Sequence, residues 1–216
     1  MGIGGIIFDL DGVIVSTDEF HYLGWKRLAD EEGIAFDRQI NERLRGVSRM
    51  ESLAILLERS TRVYSEAQRV QLAWRKNKYY VDLLATKLSP ANILPGVREF
   101  LAACKSRGIL TAVGSSSRNS PTILKQIGME KTFDATADGN DISRSKPDPE
   151  VFLVAAERLR LGPAECLVVE DAEAGVSAAV AAGMRVLAVG SAAGDRRATL
   201  CAASLADITL ERILAQ

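Results

Sequence analysis

Two carboxylates separated by a single residue stand near the start of the sequence, in the segment Phe8-Asp9-Leu10-Asp11-Gly12-Val13. Side chains at i and i+2 of an extended chain point to the same side, so Asp9 and Asp11 can reach one site. A nucleophile beside a second carboxyl that transfers protons is one use of such a pair. The other interpretation is an Asp turn where the chain leaves a strand.

Three more groups of polar residues that could act on a phosphate follow later in the chain. Residues 114–119, Gly-Ser-Ser-Ser-Arg-Asn, offer hydroxyls, N–H groups and a guanidinium where a helix should start. They could cradle a phosphate or simply cap that helix. Lys146, between Ser145 and Pro147, could be a phosphate ligand or a solvated charge. Glu170 and Asp171 could bind a metal or only favour a helix N-terminus.

Together these groups match what phosphoryl transfer requires, which is a nucleophile, a cation, a positive side chain and hydrogen-bond donors. Asp9 would be the nucleophile, Asp9 and Asp171 would hold Mg²⁺, and Lys146 and Ser115 would supply the remaining contacts. Asp11 is left for general acid/base work. A carboxyl beside a phosphorylated neighbour can keep a proton long enough to donate it to a leaving oxygen.

The elements that must position these groups are short apolar runs, each ending where a polar group begins. Gly5-Ile6-Ile7-Phe8 predicts a buried parallel strand, and residues 109–113, 133–136, 167–169 and 186–189 predict four more. Helical patterns lie between them at 95–106, at 174–182, and from an N-cap and first-turn proline at Asp148-Pro149 to about residue 160. This alternation predicts an α/β fold with a doubly wound parallel sheet. The polar groups would then meet at the carboxyl ends of its strands.

Residues 17–91 break this alternation. They contain amphipathic stretches, at 52–59 and 66–84, and no convincing strand. Turn signals at Pro90 and Pro95 would let the chain return to the core. We therefore expect an α/β core domain formed by residues 1–16 and 92–216, with a helical cap domain inserted at 17–91.

Composition narrows the possible partners. The 216 residues carry 27 Lys+Arg and 28 Asp+Glu, a net charge of −1, which gives no footprint for nucleic acid or an anionic membrane. No stretch has the uncharged length of a membrane span, and the first apolar run is too short for a signal peptide, so we expect a cytoplasmic protein. Cys104, Cys166 and Cys201 lie far apart in apolar runs and are expected to be buried thiols.

The four motifs resemble those of the haloacid dehalogenase superfamily across the whole core: D-L-D-G-V, the serine Ser115, S-K-P-D-P and E-D-A-x-A-G. The resemblance implies a Rossmann-like core with a cap, Asp9 as nucleophile and Asp11 as acid/base. It also implies Mg²⁺ bound by Asp9, the backbone carbonyl of Asp11 and the late acids Glu170 and Asp171. An aspartate at the second position favours phosphotransfer over dehalogenation.

The cap is similar in particular to that of the β-phosphoglucomutase family. The matching residues that the resemblance assigns to substrate binding are His21, Trp25, Arg45, Gly46, Val47, Arg49, Ser52, Lys76, Ser116, Ser117, Arg118 and Asn119. Arg49, Ser117 and Asn119 would hold the phosphate that is not being transferred, and Gly46 and Val47 would present backbone groups to the sugar. Arg45 and Arg118 stand where the family pattern has lysines. Without the resemblance, His21 and Trp25 could equally be a surface residue and a packing residue, and Phe20 and Trp74 are expected to pack.

These resemblances imply an isomerase that interconverts β-D-glucose 1-phosphate and β-D-glucose 6-phosphate through a bisphosphate. A sugar-phosphate phosphatase of the same superfamily is the main alternative. A receiver-like signalling domain is a third, which the inserted cap and the spacing of Asp9 and Asp11 disfavour. The expected partner is a small sugar phosphate, with no nucleic acid and no membrane, and the expected state is a monomer.

Overall fold

A six-stranded parallel sheet forms the centre of the computed structural model, which describes residues 2–45 and 47–215. The strands are β1 (Gly5–Phe8), β2 (Leu110–Gly114), β3 (Ala135–Ala137), β4 (Cys166–Glu170), β5 (Arg185–Ala188) and β6 (Leu200–Cys201). Their spatial order is β3-β2-β1-β4-β5-β6. The order reverses between β1 and β4, and in sheets of this kind the crevice at such a reversal is where ligands bind.

The sheet is covered on both faces, as the continuous apolar runs of its strands require. Alternate residues of β1 face opposite sides: Ile6 and Phe8 join the cluster that contains helix α5 (Val97–Ser106), and Ile7 joins the one that contains α7 (Glu150–Leu159). Helices α6 (Ser120–Gln126) and α9 (Leu210–Leu214) pack with the first cluster, and α8 (Glu173–Ala181) with the second. The doubly wound α/β fold is confirmed.

Most of the predicted elements are present with shifted ends. The strand expected at 133–136 begins at Ala135, because the Asp134 carboxylate instead accepts the backbone N–H of Thr111 at 2.8 Å. Pro149 is the N-cap of α7 rather than its first residue, and the Asp148 carboxylate accepts the N–H of Glu150 at 3.0 Å. Strand β6 was not predicted, because two residues are too few for an apolar pattern.

Four helices lie between β1 and α5: α1 (Asp18–Glu32), α2 (Arg38–Glu42), α3 (Arg49–Leu57) and α4 (Glu66–Lys87). Ser48 and Ser65 fix the starts of α3 and α4 through capping boxes with Glu51 and Gln68. These helices enclose a hydrophobic cluster of their own, in which Trp25, Leu28 and Leu53 are buried. The end of α4 belongs to the sheet's cluster through Tyr80 and Leu84. A helical cap on the core follows, and its boundaries at 17 and 91 stay a prediction.

The cysteine prediction is correct for two residues and wrong for one. Cys104 and Cys166 are buried, whereas Cys201 is exposed. Cys201 lies in β6 at the edge of the sheet, so no further strand covers it. Among the described residues, no helix combines the length and apolar character needed to cross a membrane.

Candidate active site

Asp9 and Lys146 form the centre of a buried polar group at the carboxyl ends of β1 and β4. The Asp9 backbone N–H donates to Val169 at 2.9 Å, which fixes the residue directly beyond the strand. Lys146 Nζ lies 2.5 Å from Asp9 Oδ1 and 2.8 Å from Glu170 Oε2. Burial lowers the pKa of Lys146, but the charges of Asp9 and Glu170 outweigh it and raise that pKa. Lys146 is therefore a permanent cation beside Asp9.

Asp9, Glu170 and Asp171 could hold a metal ion. Each offers a carboxylate oxygen, and these oxygens lie within 4.8 Å of one another. Ligands on opposite sides of one magnesium ion are about 4.2 Å apart, and Mg²⁺ prefers such hard oxygen donors. The donor set therefore fits Mg²⁺ in type and spacing.

Two glycines make room for these carboxylates. A Cβ at Gly12, where φ is +84°, would lie 2.1 Å from Asp171 Oδ2. A Cβ at Gly175 would lie 2.0 Å from the Glu170 carboxyl carbon. Real Cβ atoms do not approach so closely, so any larger residue at either position would displace an acid of the cluster.

The crowded acids hold protons more tightly than free carboxyls do. Burial, assisted by the charge of Asp9, raises the pKa of Glu170 to about 8 and that of Asp171 to about 7. A raised pKa means that the ionised form is disfavoured while no cation compensates it. A divalent cation would therefore bind with release of protons near neutral pH.

Asp11 is positioned by the start of α1. Its Oδ1 accepts the Thr17 backbone N–H at 2.7 Å, and its Oδ2 accepts the Thr17 hydroxyl. His21 Nε2 lies 3.5 Å from Asp11 Oδ2. Burial and the nearby charge of Asp18 raise the pKa of Asp11 to about 7, against the hydrogen bonds from Thr17, which lower it. Asp11 can thus hold or release a proton near neutrality, as general acid/base work requires.

The serine-rich segment after β2 is folded on itself. Ser115 Oγ accepts the Ser117 N–H, and Ser117 Oγ accepts the Asn119 N–H, both at 3.2 Å. Asn119 Nδ2 donates to Asn77 Oδ1 of α4 at 2.9 Å, which joins this segment to the helical cap. The side chains here both shape the turn before α6 and face the cap.

A buried lysine closes the cap side. Lys76 Nζ lies 2.9 Å from His21 Nδ1 and 4.8 Å from the ring centroids of Trp25 and Tyr80. Burial and the charge of Arg49 hold the pKa of Lys76 well below its usual value. Burial and the charges of Lys76 and Arg49 also lower the pKa of His21. Lys76, His21 and Arg49 together favour a bound anion, because a negative charge would reduce the repulsion among their positively charged forms.

A cavity of about 590 Å³ lies between the cap and the carboxyl ends of the strands. Arg49 from α3 and Arg118 from the serine-rich segment both line it. Burial lowers the pKa of Arg49, and the charge of Arg118 lowers it further. Two guanidinium groups thus meet across the cap and core, at a cavity whose other lining residues include Asp9 and Lys146.

Comparison with known proteins agrees with this geometry. A family model described as haloacid dehalogenase-like hydrolase matches residues 3–183. A β-phosphoglucomutase of Bacillus subtilis (strain 168) is 43% identical over 208 residues, covering 95% of this chain and 92% of that protein. The chain belongs to the haloacid dehalogenase-like hydrolase family.

Other relatives in the haloacid dehalogenase-like hydrolase family differ in their named activity. A crystal structure of a β-phosphoglucomutase from Clostridium difficile has a TM-score of 0.92 and 38% identity, covering 98% of this chain and 95% of that one. A phosphorylated carbohydrates phosphatase of Thermotoga maritima is 32% identical, covering 97% of this chain and 95% of that protein. The family therefore includes both mutases and phosphatases among proteins similar to this one.

Nearly all the residues predicted from the sequence line this one cavity. They are Asp9, Asp11, His21, Trp25, Arg45, Val47, Arg49, Ser52, Lys76, Ser115, Ser116, Ser117, Arg118, Asn119, Lys146 and Asp171. Glu170 lies behind the cavity wall, buried against Lys146. Gly46 lies outside the described residues. The roles assigned to these side chains stay predictions for this member of the haloacid dehalogenase-like hydrolase family.

Sequence reasoning missed some contributors to the cavity. Trp74, expected to pack in the core or between the domains, is not in the core: it is 65% exposed and lines the cavity. It precedes the buried Lys76 by two residues, which places it on another side of α4. Thr17 and Asn77 were given no role in the site. Thr17 nevertheless bonds Asp11, and Asn77 bonds Asn119. Only their spacing from Asp11 and Lys76 could have suggested them.

Proposed function

We propose that this chain is a β-phosphoglucomutase, which interconverts β-D-glucose 1-phosphate and β-D-glucose 6-phosphate through a phosphorylated Asp9 and a bisphosphate intermediate. The 43% identity to a protein named β-phosphoglucomutase supports β-glucose phosphate as the substrate. We further propose Mg²⁺ as its metal and a cytoplasmic monomer as its working form.

The observation that carries the proposal is the meeting of Arg49 and Arg118 at the cavity. Within the described part of the chain, no carboxylate forms a salt bridge with either guanidinium. Arg49 is half-buried and Arg118 is exposed, and two cations without a carboxylate partner at one cavity favour a bound dianion. A bisphosphate has two phosphates, and a mutase must hold one of them while Asp9 exchanges the other. A phosphatase acting on a monophosphate does not need this second site.

Each step of the reaction has a residue suited to it. Asp11 would take the proton from the C6 hydroxyl of β-glucose 1-phosphate as that oxygen accepts the phosphoryl group from Asp9. After the bisphosphate turns round, Asp9 would attack the phosphorus at C1, and Asp11 would return the proton to the leaving O1. Lys146 stabilises the negative charge around Asp9 throughout. Asp9, Glu170, Asp171 and the Asp11 carbonyl would hold magnesium, which would neutralise part of the charge on the phosphoryl oxygens when bound.

The competing proposal is a sugar-phosphate phosphatase, supported by the 32% identity to a phosphatase. In that case water, rather than a sugar hydroxyl, would attack the phosphorylated Asp9. Asp11 would serve both reactions equally, so the acid/base residue does not separate them. The second phosphate site separates the two proposals, because only the mutase requires it.

Replacing Arg49 tests the second site. Arg49→Ala should lower kcat/KM for β-glucose 1-phosphate isomerisation by about 2 to 4 kcal/mol, the range for truncating one partner of a desolvated charge pair. Hydrolysis of acetyl phosphate, which carries a single phosphate, should change much less. Arg38→Ala is the matched control, because Arg38 pairs with Glu19 on the exposed side of the cap. Equal losses in both reactions would favour the phosphatase.

A further inference from the structure

Arg45 joins the cap to the metal-binding end of the core. It follows α2, and its Nη2 lies 2.6 Å from Asp171 Oδ2 and 2.9 Å from Asp18 Oδ2. The Asp171 side chain is only 5% exposed, so water screens this ion pair weakly. A neighbouring cap pair, Arg43 with Glu58, is about half exposed on both sides. The Arg45 contact is thus of a different kind from the surface pairs of the cap.

Through the contact of Arg45 with Asp171, each carboxylate of the acidic cluster has a positively charged partner. Lys146 forms ion pairs with Asp9 and Glu170, and Arg45 forms one with Asp171. Lys146 belongs to the core, between β3 and α7. Arg45 belongs to the helical segment between β1 and β2, so its contact with Asp171 depends on where that segment lies.

We infer that Arg45 competes with the divalent metal ion for Asp171, and that metal binding without substrate therefore loosens the cap from the core. The inference rests on the proposed magnesium site and gives Arg45 a role in controlling it. A guanidinium that donates to Asp171 Oδ2 occupies an oxygen of a metal ligand and places a positive charge beside the metal position. Both effects oppose a dication.

Linkage makes the effect reciprocal. If Arg45 weakens metal binding by a given factor, the metal weakens the contact of Arg45 with Asp171 by the same factor. A substrate phosphate brings negative charge to the cavity, so the metal ion and the Arg45 guanidinium can both stay beside Asp171. The order that follows is metal binding to a loosened cap, then closure of the cap over metal and phosphate together.

Binding of Mn²⁺, a spectroscopic substitute for Mg²⁺, tests the competition without any turnover. Free Mn²⁺ is counted by electron paramagnetic resonance in titrations of the wild type, Arg45→Ala and Arg43→Ala, with no phosphate present. Arg45→Ala should bind Mn²⁺ about 10-fold more tightly, within the usual range for coupled sites. Arg43→Ala, which removes the same charge two residues away, should match the wild type. Affinity that is unchanged or weaker in Arg45→Ala overturns the inference.

Small-angle X-ray scattering on the same proteins tests the link to the cap. Metal should increase the radius of gyration of the wild type, whereas Arg45→Ala should begin at the larger value and not respond. A wild type that does not respond to bound metal contradicts the coupling. If the wild type binds no Mn²⁺ even with inorganic phosphate, the proposed metal site itself is wrong. If it binds normally and Arg45→Ala behaves identically, only this inference fails.

Discussion

Asp9 is the side chain on which the proposed chemistry depends. It is buried, it follows the central strand directly, and Lys146 holds one of its oxygens at 2.5 Å. A charged donor at that distance orients a carboxylate and stabilises the charge that develops on a phosphoryl group attached to it. The residue is thus prepared for attack before substrate binds.

Asp9→Asn should therefore lose at least about 1,000-fold in kcat, because an amide is not a nucleophile at phosphorus. Turnover of β-glucose 1-phosphate measures it, with Asp30→Asn on the cap surface as the control. Near-normal turnover of the Asp9→Asn variant would remove Asp9 from the mechanism, provided that mass spectrometry shows no deamidation of the new side chain back to aspartate.

The raised pKa values of Glu170 and Asp171 predict how metal binding depends on pH. With pKa values near 8 and 7, both carboxyls are largely protonated at pH 6 and largely ionised at pH 8.5. Mg²⁺ binds the ionised forms, so its affinity should rise over this interval, by up to about tenfold per pH unit for each proton released. Calorimetric titration at the two pH values measures the rise, which should be smaller in Asp171→Asn. Equal affinity at pH 6 and 8.5 would contradict the assignment.

The same two groups make the metal-free protein sensitive to alkali. A carboxyl whose pKa is raised by folding stabilises the folded state below its unfolded pKa, and that contribution is lost as pH rises through the folded pKa. The melting temperature without Mg²⁺ should therefore fall between pH 6 and pH 8.5, and Mg²⁺ should restore it. A melting temperature that rises over this interval would show that other groups dominate.

At the scale of elements, helix α8 approaches β4 so closely that only glycine fits at its third residue. Gly→Ala inside a helix normally stabilises by about 0.5 to 1 kcal/mol. At Gly175 the added methyl would lie 2.0 Å from the Glu170 carboxyl, which Lys146 holds in place. Gly175→Ala should therefore destabilise the folded protein instead of stabilising it.

Gly175→Ala should lower the melting temperature and weaken Mg²⁺ binding together, because Glu170 and its neighbour Asp171 must shift. Gly194→Ala is the control, since a Cβ there would meet no atom within 4 Å. A variant as stable as the wild type, with unchanged Mg²⁺ affinity, would show that the cluster tolerates displacement of Glu170.

The elements also show what the sequence could and could not predict. Apolar runs with a polar residue after them identified five of the strands, since a buried parallel strand must be apolar throughout. Strand β6 and the exposure of Cys201 were beyond this reasoning, because a two-residue edge strand depends on tertiary pairing alone. In the site, the motifs identified Asp9, Lys146 and Asp171. The hydrogen bond between Asn77 and Asn119 joins residues 42 apart in the chain, and no local pattern marks it.

At the scale of the whole molecule, the proposed catalytic centre belongs to the core, whereas the proposed second phosphate site is shared between Arg49 of the cap and Arg118 of the core. The cap helices have their own buried cluster, while the sheet and its helices form two others. A cap with its own core can move as a unit and still present Arg49 in a fixed orientation. The cavity between them is closed by contacts such as Asn77 with Asn119 and Arg45 with Asp171. This arrangement suits a reaction in which water must be kept from phosphorylated Asp9.

The central claim is that phosphate moves between the two ends of a sugar rather than to water. One measurement addresses it directly: β-glucose 1-phosphate is supplied with Mg²⁺ and a trace of β-glucose 1,6-bisphosphate, and glucose 6-phosphate and free phosphate are followed together. The proposed mutase should convert most of the substrate to glucose 6-phosphate, with free phosphate a minor product. Release of phosphate in step with loss of substrate, with little glucose 6-phosphate formed, would contradict it.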